Sequence, residues 1–147
     1  MKITICGSIA FFDQITEVKA ELEKMGHVVD IPPREVEDEQ GNLISVKAYY
    51  ELRKSSGEDA IWVWEKKKEA MLMHFDKVAW ADAILVANYE KNEIPGYIGA
   101  NTLIEMGLAL YLGKKIYLLY QLPKINYSEE ILGMHPIVIE GDLKKIG

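Results

Sequence analysis

Few side chains in this sequence of 147 residues are able to do chemistry, and their spacing narrows what that chemistry is. Glu105 follows Gly99-Ala100-Asn101-Thr102 and falls in the first turn of an otherwise apolar helix, where the helix dipole favours its ionised form. An ionised carboxylate at the mouth of a crevice is a nucleophile towards a sugar carbon. The same run, Thr102-Leu103-Ile104-Glu105, also spells a capping box, in which the glutamate only ties back to a backbone N–H, and the residues alone favour that cap. His74 and Asp76 lie on opposite flanks of an apolar stripe centred on Phe75, because each residue turns a helix by roughly 100°; at most one of them faces a given pocket. Asp82 reads as the end of a helix-to-strand connection. The turn Cys6-Gly7-Ser8-Ile9 offers backbone N–H groups at a helix start, suited to an anion or a hydroxyl-rich ligand, or else simply makes the turn and caps the helix. It lacks the glycines of a dinucleotide fingerprint, so Asp30, at the end of the second strand, carries little weight as a ribose-binding acid and a NAD-dependent oxidoreductase is disfavoured. His27 and His135 have no partners at ligand spacing, and neither a metal nor a redox cofactor is expected.

These groups must be held by alternating strands and helices. Lys2 to Cys6 is apolar and β-branched, and Phe11, Ile15, Val18, Leu22 and Met25 then recur at helical steps up to Gly26. His27 to Ile31 is a second strand, stopped by Pro32-Pro33, and a polar excursion runs from Arg34 to Asn42. Helix formers fill Ser45 to Arg53 and Asp59 to Ala81, with Met71, Leu72, Phe75, Val78 and Ala79 expected on the inner face of the second helix. Ala83 to Ala87 is continuously apolar, as a strand covered on both faces should be. A loop runs to Asn101, a helix covers Thr102 to Leu112, Lys115 to Leu119 is another buried strand, and a last set comprises Ser128 to Leu132 and Pro136 to Ile139. Such alternation predicts a single α/β domain spanning 1–147, a Rossmann-like (flavodoxin-like) three-layer fold with a central parallel sheet. Its ligands bind beyond the carboxyl ends of the strands, which places Gly7 to Phe12, Asn88 to Glu105 and Tyr120 to Asn126 around the site.

Composition excludes several classes. The net charge is −6, and the densest basic run, Lys66-Lys67-Lys68, is bracketed by Glu65 and Glu69, which reads as a solvated helix face; polymeric nucleic acid is not an expected partner. Cys6 is the single cysteine, so no disulfide framework forms, in keeping with a reducing cytoplasm. No apolar run reaches the roughly 18 residues of a membrane span, and the first residues carry no export signature. Trp62, Trp64 and Trp80 are expected as core or interface aromatics.

Three stretches resemble the nucleoside 2-deoxyribosyltransferase family and its relative, the 2′-deoxynucleoside 5′-phosphate N-hydrolase: ICGSI at the first turn, WADAILVANYE around the third long strand, and GANTLIEMGLALYLGKKIYLL. The likeness covers most of the chain and leaves about 34–68 poorly matched. It implies cleavage of the N-glycosidic bond of a 2′-deoxynucleoside through a covalent deoxyribosyl-glutamate, the sugar passing to another base or to water. Glu105, in Glu105-Met106-Gly107-Leu108-Ala109, falls where the family has its nucleophile, which moves it from cap to nucleophile. Gly7, Ser8 and Ile9 would line the sugar or phosphate side, and Asn88, Gly99 and Asn101 would contact the ligand. The family's second acid lies a little before the Ala-Asp pair; here His74 holds that place, with Asp76 two residues on. The arginine that holds a 5′-phosphate in the hydrolase is replaced by Ala10, which favours a nucleoside over a nucleotide. The resemblance also implies a homo-oligomer, at least a dimer, with Tyr120 to Tyr127 near a partner's pocket. The rival reading is a non-catalytic nucleoside- or nucleotide-binding module on the same fold, distinguished by whether His74 or Asp76 points into the pocket beside Glu105.

Overall fold

The computed structural model describes all residues from 1 to 147. Seven strands and five α-helices follow one another as β1 (Lys2–Cys6), α1 (Phe12–Lys24), β2 (Val28–Asp30), β3 (Glu35–Glu37), β4 (Leu43–Ser45), α2 (Val46–Ser55), α3 (Ile61–Trp80), β5 (Ala83–Val86), α4 (Ala100–Tyr111), β6 (Lys115–Leu118), α5 (Ser128–Gly133) and β7 (Ile137–Val138). Five of the strands form one sheet in the order β2-β1-β5-β6-β7, every pair parallel. Counted within that sheet the order is 2-1-3-4-5, the flavodoxin-like arrangement, in which the progression of strands across the sheet reverses between β1 and β5. The expected neighbours Ile3–Cys6, Ile84–Ala87 and Ile116–Leu119 are thus adjacent and parallel, and their carboxyl ends share one edge.

Strand alternation sorts the core into two layers. Ile3, Ile5 and Leu85 face α1, where Phe11, Ile15, Val18 and Leu22 form the buried stripe. Cys6, Ile84, Val86 and Leu118 face the other way, onto Val78 of α3, Met106 and Ala109 of α4 and Ile131 of α5. Successive strand residues point to opposite faces, so Thr4 and Cys6 must share the α3/α4 side; the Thr4 hydroxyl there donates to the Lys77 carbonyl at 2.8 Å. Met25 belongs to the sequence stripe but is exposed, because α1 ends at Lys24 and Gly26 turns the chain in a left-handed conformation at φ 92°.

Two elements depart from the sequence reading. The polar excursion holds a short antiparallel ribbon, β3 against β4, with Val36 opposite Ile44, which then feeds α2 through the Ser45 cap. In α3, Leu72 is 51 % exposed and Ala79 is also exposed, whereas Val63, His74 and Val78 are the buried residues. The inward row runs Val63, Lys67, Met71, His74, Val78, spaced by helical steps but partly polar. An apolar-periodicity argument rotates the helix away from such a row, because the polar members count as surface.

Candidate active site

A cavity of about 330 Å³ opens beyond the carboxyl ends of β1 and β5, at the reversal point of the sheet. Its inner wall is the first βα turn with Gly7, Ser8 and Ile9, the start of α4 with Gly99 and Asn101, and His74 and Glu105 at the back. Its outer wall comes from β3, α2 and the first half of α3, with Val36, Tyr49, Tyr50, Arg53 and Lys67.

Glu105 is not a cap. Helix α4 begins at Ala100, with Gly99 in the N-cap position, so Glu105 lies in the second turn and the capping box at Thr102 does not form. The turn instead aims Glu105 inward beside buried Thr102 and Met106, with only 12 % of its side chain exposed. Burial raises its pKa from 4.5 to about 7, against the opposing pull of a hydrogen bond from the Cys6 thiol and the charge of Lys67. His74 Nε2 stands 3.7 Å from Glu105 Oε2. Burial, then the charge of Lys77, lowers the pKa of His74 from 6.5 to about 4, Asp30 opposing. The imidazole is therefore neutral at pH 7, and the contact is one between a neutral ring and a half-ionised carboxyl group, not a formed ion pair. Both ring nitrogens of His74 are buried and neither has a hydrogen-bond partner.

Cys6 is the neighbour that sequence reasoning missed. Its thiol, Glu105 and His74 bring one sulfur, oxygen and nitrogen atom within 4.8 Å of one another. Burial, and then the charge of Glu105, push the thiol pKa well up, so it stays a protonated S–H beside the carboxylate. Sulfur, imidazole and carboxylate are also zinc-type ligands, and this cluster is where the chain could hold such an ion. Spacing along the sequence gave no hint, because three separate elements supply the donors; the period-two alternation of β1 was the one usable signal.

The remaining expected residues divide. Gly7, Ser8, Ile9, Gly99 and Asn101 all line the cavity. Ser8 also caps the short 3-10 turn after β1, accepting from the Ala10 N–H at 3.3 Å, and accepts from Lys91 Nζ at 3.1 Å. Asp76 does not join the site: it is exposed on the far flank of α3, because two residues turn the helix by about 200° from His74. Asn88 does not line this cavity either. It is fully buried, its amide donating to the carbonyls of Tyr120 at 3.1 Å and Gln121 at 2.9 Å while its Oδ1 accepts from the Tyr120 N–H at 2.8 Å. Its polar atoms are consumed in tying the end of β5 to the end of β6. Gly96 completes that tie: at φ 70° a Cβ there would lie 2.1 Å from the Gln121 carbonyl oxygen, so only glycine fits. Asp82 accepts from the Lys2 N–H at 2.7 Å and has the structural role read for it. Asp30 pairs with Lys77 at 3.1 Å, outside the cavity. Lys67, read as part of a solvated run, is a lining residue.

The strand order and the crevice at its reversal point define the class: a flavodoxin-like α/β domain with a ligand site above β1 and β5. The sequence matches no family model and no curated protein sequence. Among solved structures the chain is similar to the CMP N-glycosidase BcmB of Clostridium botulinum, with a TM-score of 0.54 and 17% identity over 99% of this chain and 94% of that one. It is also similar to the 2-deoxyribosyltransferase of Bacillus psychrosaccharolyticus, with a TM-score of 0.50 and 17% identity over 80% of this chain and 71% of that one. The likeness is one of fold. No helix is long and apolar enough to cross a membrane.

Proposed function

We propose that this chain is an enzyme that breaks the N-glycosidic bond of a 2′-deoxynucleoside and passes the deoxyribosyl group to water or to a second base through an ester with Glu105. The observation that carries the reading is the buried Glu105–His74 pair, 3.7 Å apart at the back of the cavity. The fold adds support, since one structural neighbour is named for deoxyribosyl transfer and the other for cleavage of the N-glycoside of CMP.

In this scheme the ionised Glu105 attacks C1′ as the bond to the base breaks, and the base leaves with the electron pair and takes a proton from water. Only the ionised fraction of Glu105 reacts, and its raised pKa makes that fraction a stronger nucleophile than an ordinary carboxylate. In the second half, water or another base attacks C1′, the ester bond returns its electrons to Glu105, and neutral His74 orients the attacking group and accepts its proton. Cys6 donates to the carboxylate and holds its direction of attack. Gly7, Ser8 and Asn101 are assigned to the sugar side. The reading includes assembly into at least a homodimer, supported by the exposed apolar residues Leu72 and Met73 of α3 and Ile104 and Tyr111 of α4; a monomer mass by light scattering at micromolar concentration would remove that part.

The test is chromatography of the purified protein with each 2′-deoxynucleoside and its 5′-monophosphate, with and without a second free base. Release of the base, or its exchange, is the expected result. A protein that binds these compounds and cleaves none of them is a binding module, and the catalytic reading falls.

A further inference from the structure

The back of the cavity gathers three groups whose donor atoms suit one metal ion better than they suit one another. Cys6 ends β1, His74 stands within α3 and Glu105 in the second turn of α4, and their sulfur, ring nitrogen and carboxylate oxygen all lie within 4.8 Å of one another. The separation of His74 Nε2 from Glu105 Oε2 is 3.7 Å, too long for a hydrogen bond. It matches the roughly 3.3 to 3.8 Å between neighbouring ligands of a tetrahedral zinc ion whose bonds are about 2.0 to 2.3 Å. His74 is 7 % exposed, and its two buried, unpartnered ring nitrogens are a cost that ligation through Nε2 reduces by giving one of them a partner. Thiolate and carboxylate together carry two negative charges, so a divalent ion between them makes a neutral cluster, which an interior tolerates better than a lone charge. The charges of Lys67 and Lys77 reach Glu105 and His74 and oppose an added cation. Lys77 is already paired with Asp30 at 3.1 Å, however, and Lys67 makes no ion pair with Glu105, whereas the two ligand anions would touch the ion.

We infer that Cys6, His74 and Glu105 form a zinc site with three protein ligands, its fourth position facing the cavity, and that filling this site holds the chemistry of Glu105 off. His74 and Glu105 line the cavity while Cys6 is fully buried behind them, so the open side of the ion is the cavity side. Sulfur and imidazole select zinc over magnesium or calcium, which take oxygen ligands. On binding, the Cys6 S–H gives its proton to solvent, as does the protonated fraction of Glu105, and the neutral His74 coordinates without losing one. The inhibitory half rests on the reading of Glu105 as nucleophile, because the lone pairs that attack C1′ are the ones the ion takes; the metal site itself does not rest on it. Ligation leaves Nδ1 of His74 without a partner, so the ion is held less firmly than in a fully supported structural site and a chelator removes it.

The test uses the full chain, stripped with a chelator, kept reduced without added thiol, and titrated with zinc or cobalt(II) alone. One equivalent should bind with a dissociation constant below about 100 μM, and the cobalt form should show the sulfur-to-cobalt charge-transfer band of a thiolate ligand together with the intense visible bands of four-coordination. Cobalt bound without the sulfur band, or no saturable binding in that range, overturns the inference, and neither result needs a variant that has to fold. Cys6→Ser should remove the band and weaken zinc binding at least about tenfold, and His74→Ala should weaken it by a similar factor. Zinc held equally well by both variants sits elsewhere, on His27 or His135, and also overturns it. In turnover assays with a 2′-deoxynucleoside, zinc should inhibit over the concentration range in which it binds, and a chelator should restore the rate; full turnover with the site filled overturns the inhibitory half. If zinc binds with sulfur ligation and no glycosidic bond is cleaved with or without it, the metal site stands and the Glu105 chemistry falls. If the bond is cleaved and zinc does not bind, the chemistry stands and the metal site falls.

Discussion

The two walls of the cavity are built on different principles. The inner wall grows out of the sheet: every residue from Ala83 to Asn88 is buried, and Cys6, His74 and Glu105 hang from elements packed on that sheet. Most of the outer wall, the segment from Pro32 to Gly57, has only Val46 and Tyr49 buried and consists of two three-residue strands and a helix of ten residues. The rigid wall carries the cluster of Cys6, His74 and Glu105, and the thin wall carries aromatic rings and cations. Substitutions at Arg53 and at Glu105 should therefore act nearly independently, whereas Lys67, whose charge lowers the Glu105 pKa, couples the two walls.

The largest expected effect is at the base of the inner wall. Glu105→Gln should abolish turnover and the stable sugar adduct that a 2-fluoro-2-deoxyribosyl nucleoside leaves on Glu105, detected by intact mass; residual adduct on the variant would move the nucleophile elsewhere. His74→Ala should lower turnover by about 10²- to 10⁴-fold while still permitting adduct formation with an activated leaving group. A silent substitution would remove His74 from the chemistry.

Acidity gives a third comparison between the walls. With Glu105 pushed up to about 7, kcat/KM should rise about tenfold per pH unit below 7 and level off above it, and that acid limb should be insensitive to Arg53→Gln. A limb near 4.5 would show a solvated, ordinary carboxylate. The same shift has a stability consequence with the opposite slope. Because the folded pKa of Glu105 lies above its ordinary value, folded protein holds the proton more tightly, and stability present below pH 4.5 is lost as pH rises from 4.5 to 7. His74, lowered from 6.5 to about 4, contributes stability above pH 6.5 that is lost as pH falls towards 4. Denaturant midpoints across pH 4 to 8 should show Glu105→Gln flattening the first trend only.

The smallest effect tests the helix face. Asp76→Asn should change stability by less than about 0.5 kcal/mol and leave turnover unaltered, since the side chain is exposed and lines no cavity. A loss of activity comparable to that of His74→Ala would mean that α3 presents its other flank to substrate.

What was legible in the sequence follows the same division. The strands that carry the inner wall are continuously apolar, so Ile3–Cys6, Ile84–Ala87 and Ile116–Leu119 could be read, aligned and assigned one active edge. Glu105 was legible as a candidate, but its cap reading depended on where α4 begins, and a helix start at Ala100 in place of Thr102 is a two-residue difference of the kind that local signals resolve poorly. The inward face of α3 was misread because Lys67 and His74 break its apolar period for the sake of the cavity they line. Asn88 was read as a ligand contact because a polar residue at a strand end looks functional, whereas its partners, Tyr120 and Gln121, lie more than thirty residues away. The ribbon of β3 and β4 escaped notice because Glu-Val-Glu and Leu-Ile-Ser are too short for a period to register.

The thinness of the outer wall also sets a timescale. With so little apolar surface anchoring it, the segment from Pro32 to Gly57 is expected to detach at a free-energy cost well below that of global unfolding, while the five-stranded sheet keeps its hydrogen bonds. Amide hydrogens of α2 should exchange with deuterium orders of magnitude faster than those of β1 and β5, and a ligand bridging Arg53 to the sheet should slow the former selectively. Entry and release would then run through sub-global opening of this one unit, and the residence time of a product would be governed by how firmly α2 is held shut.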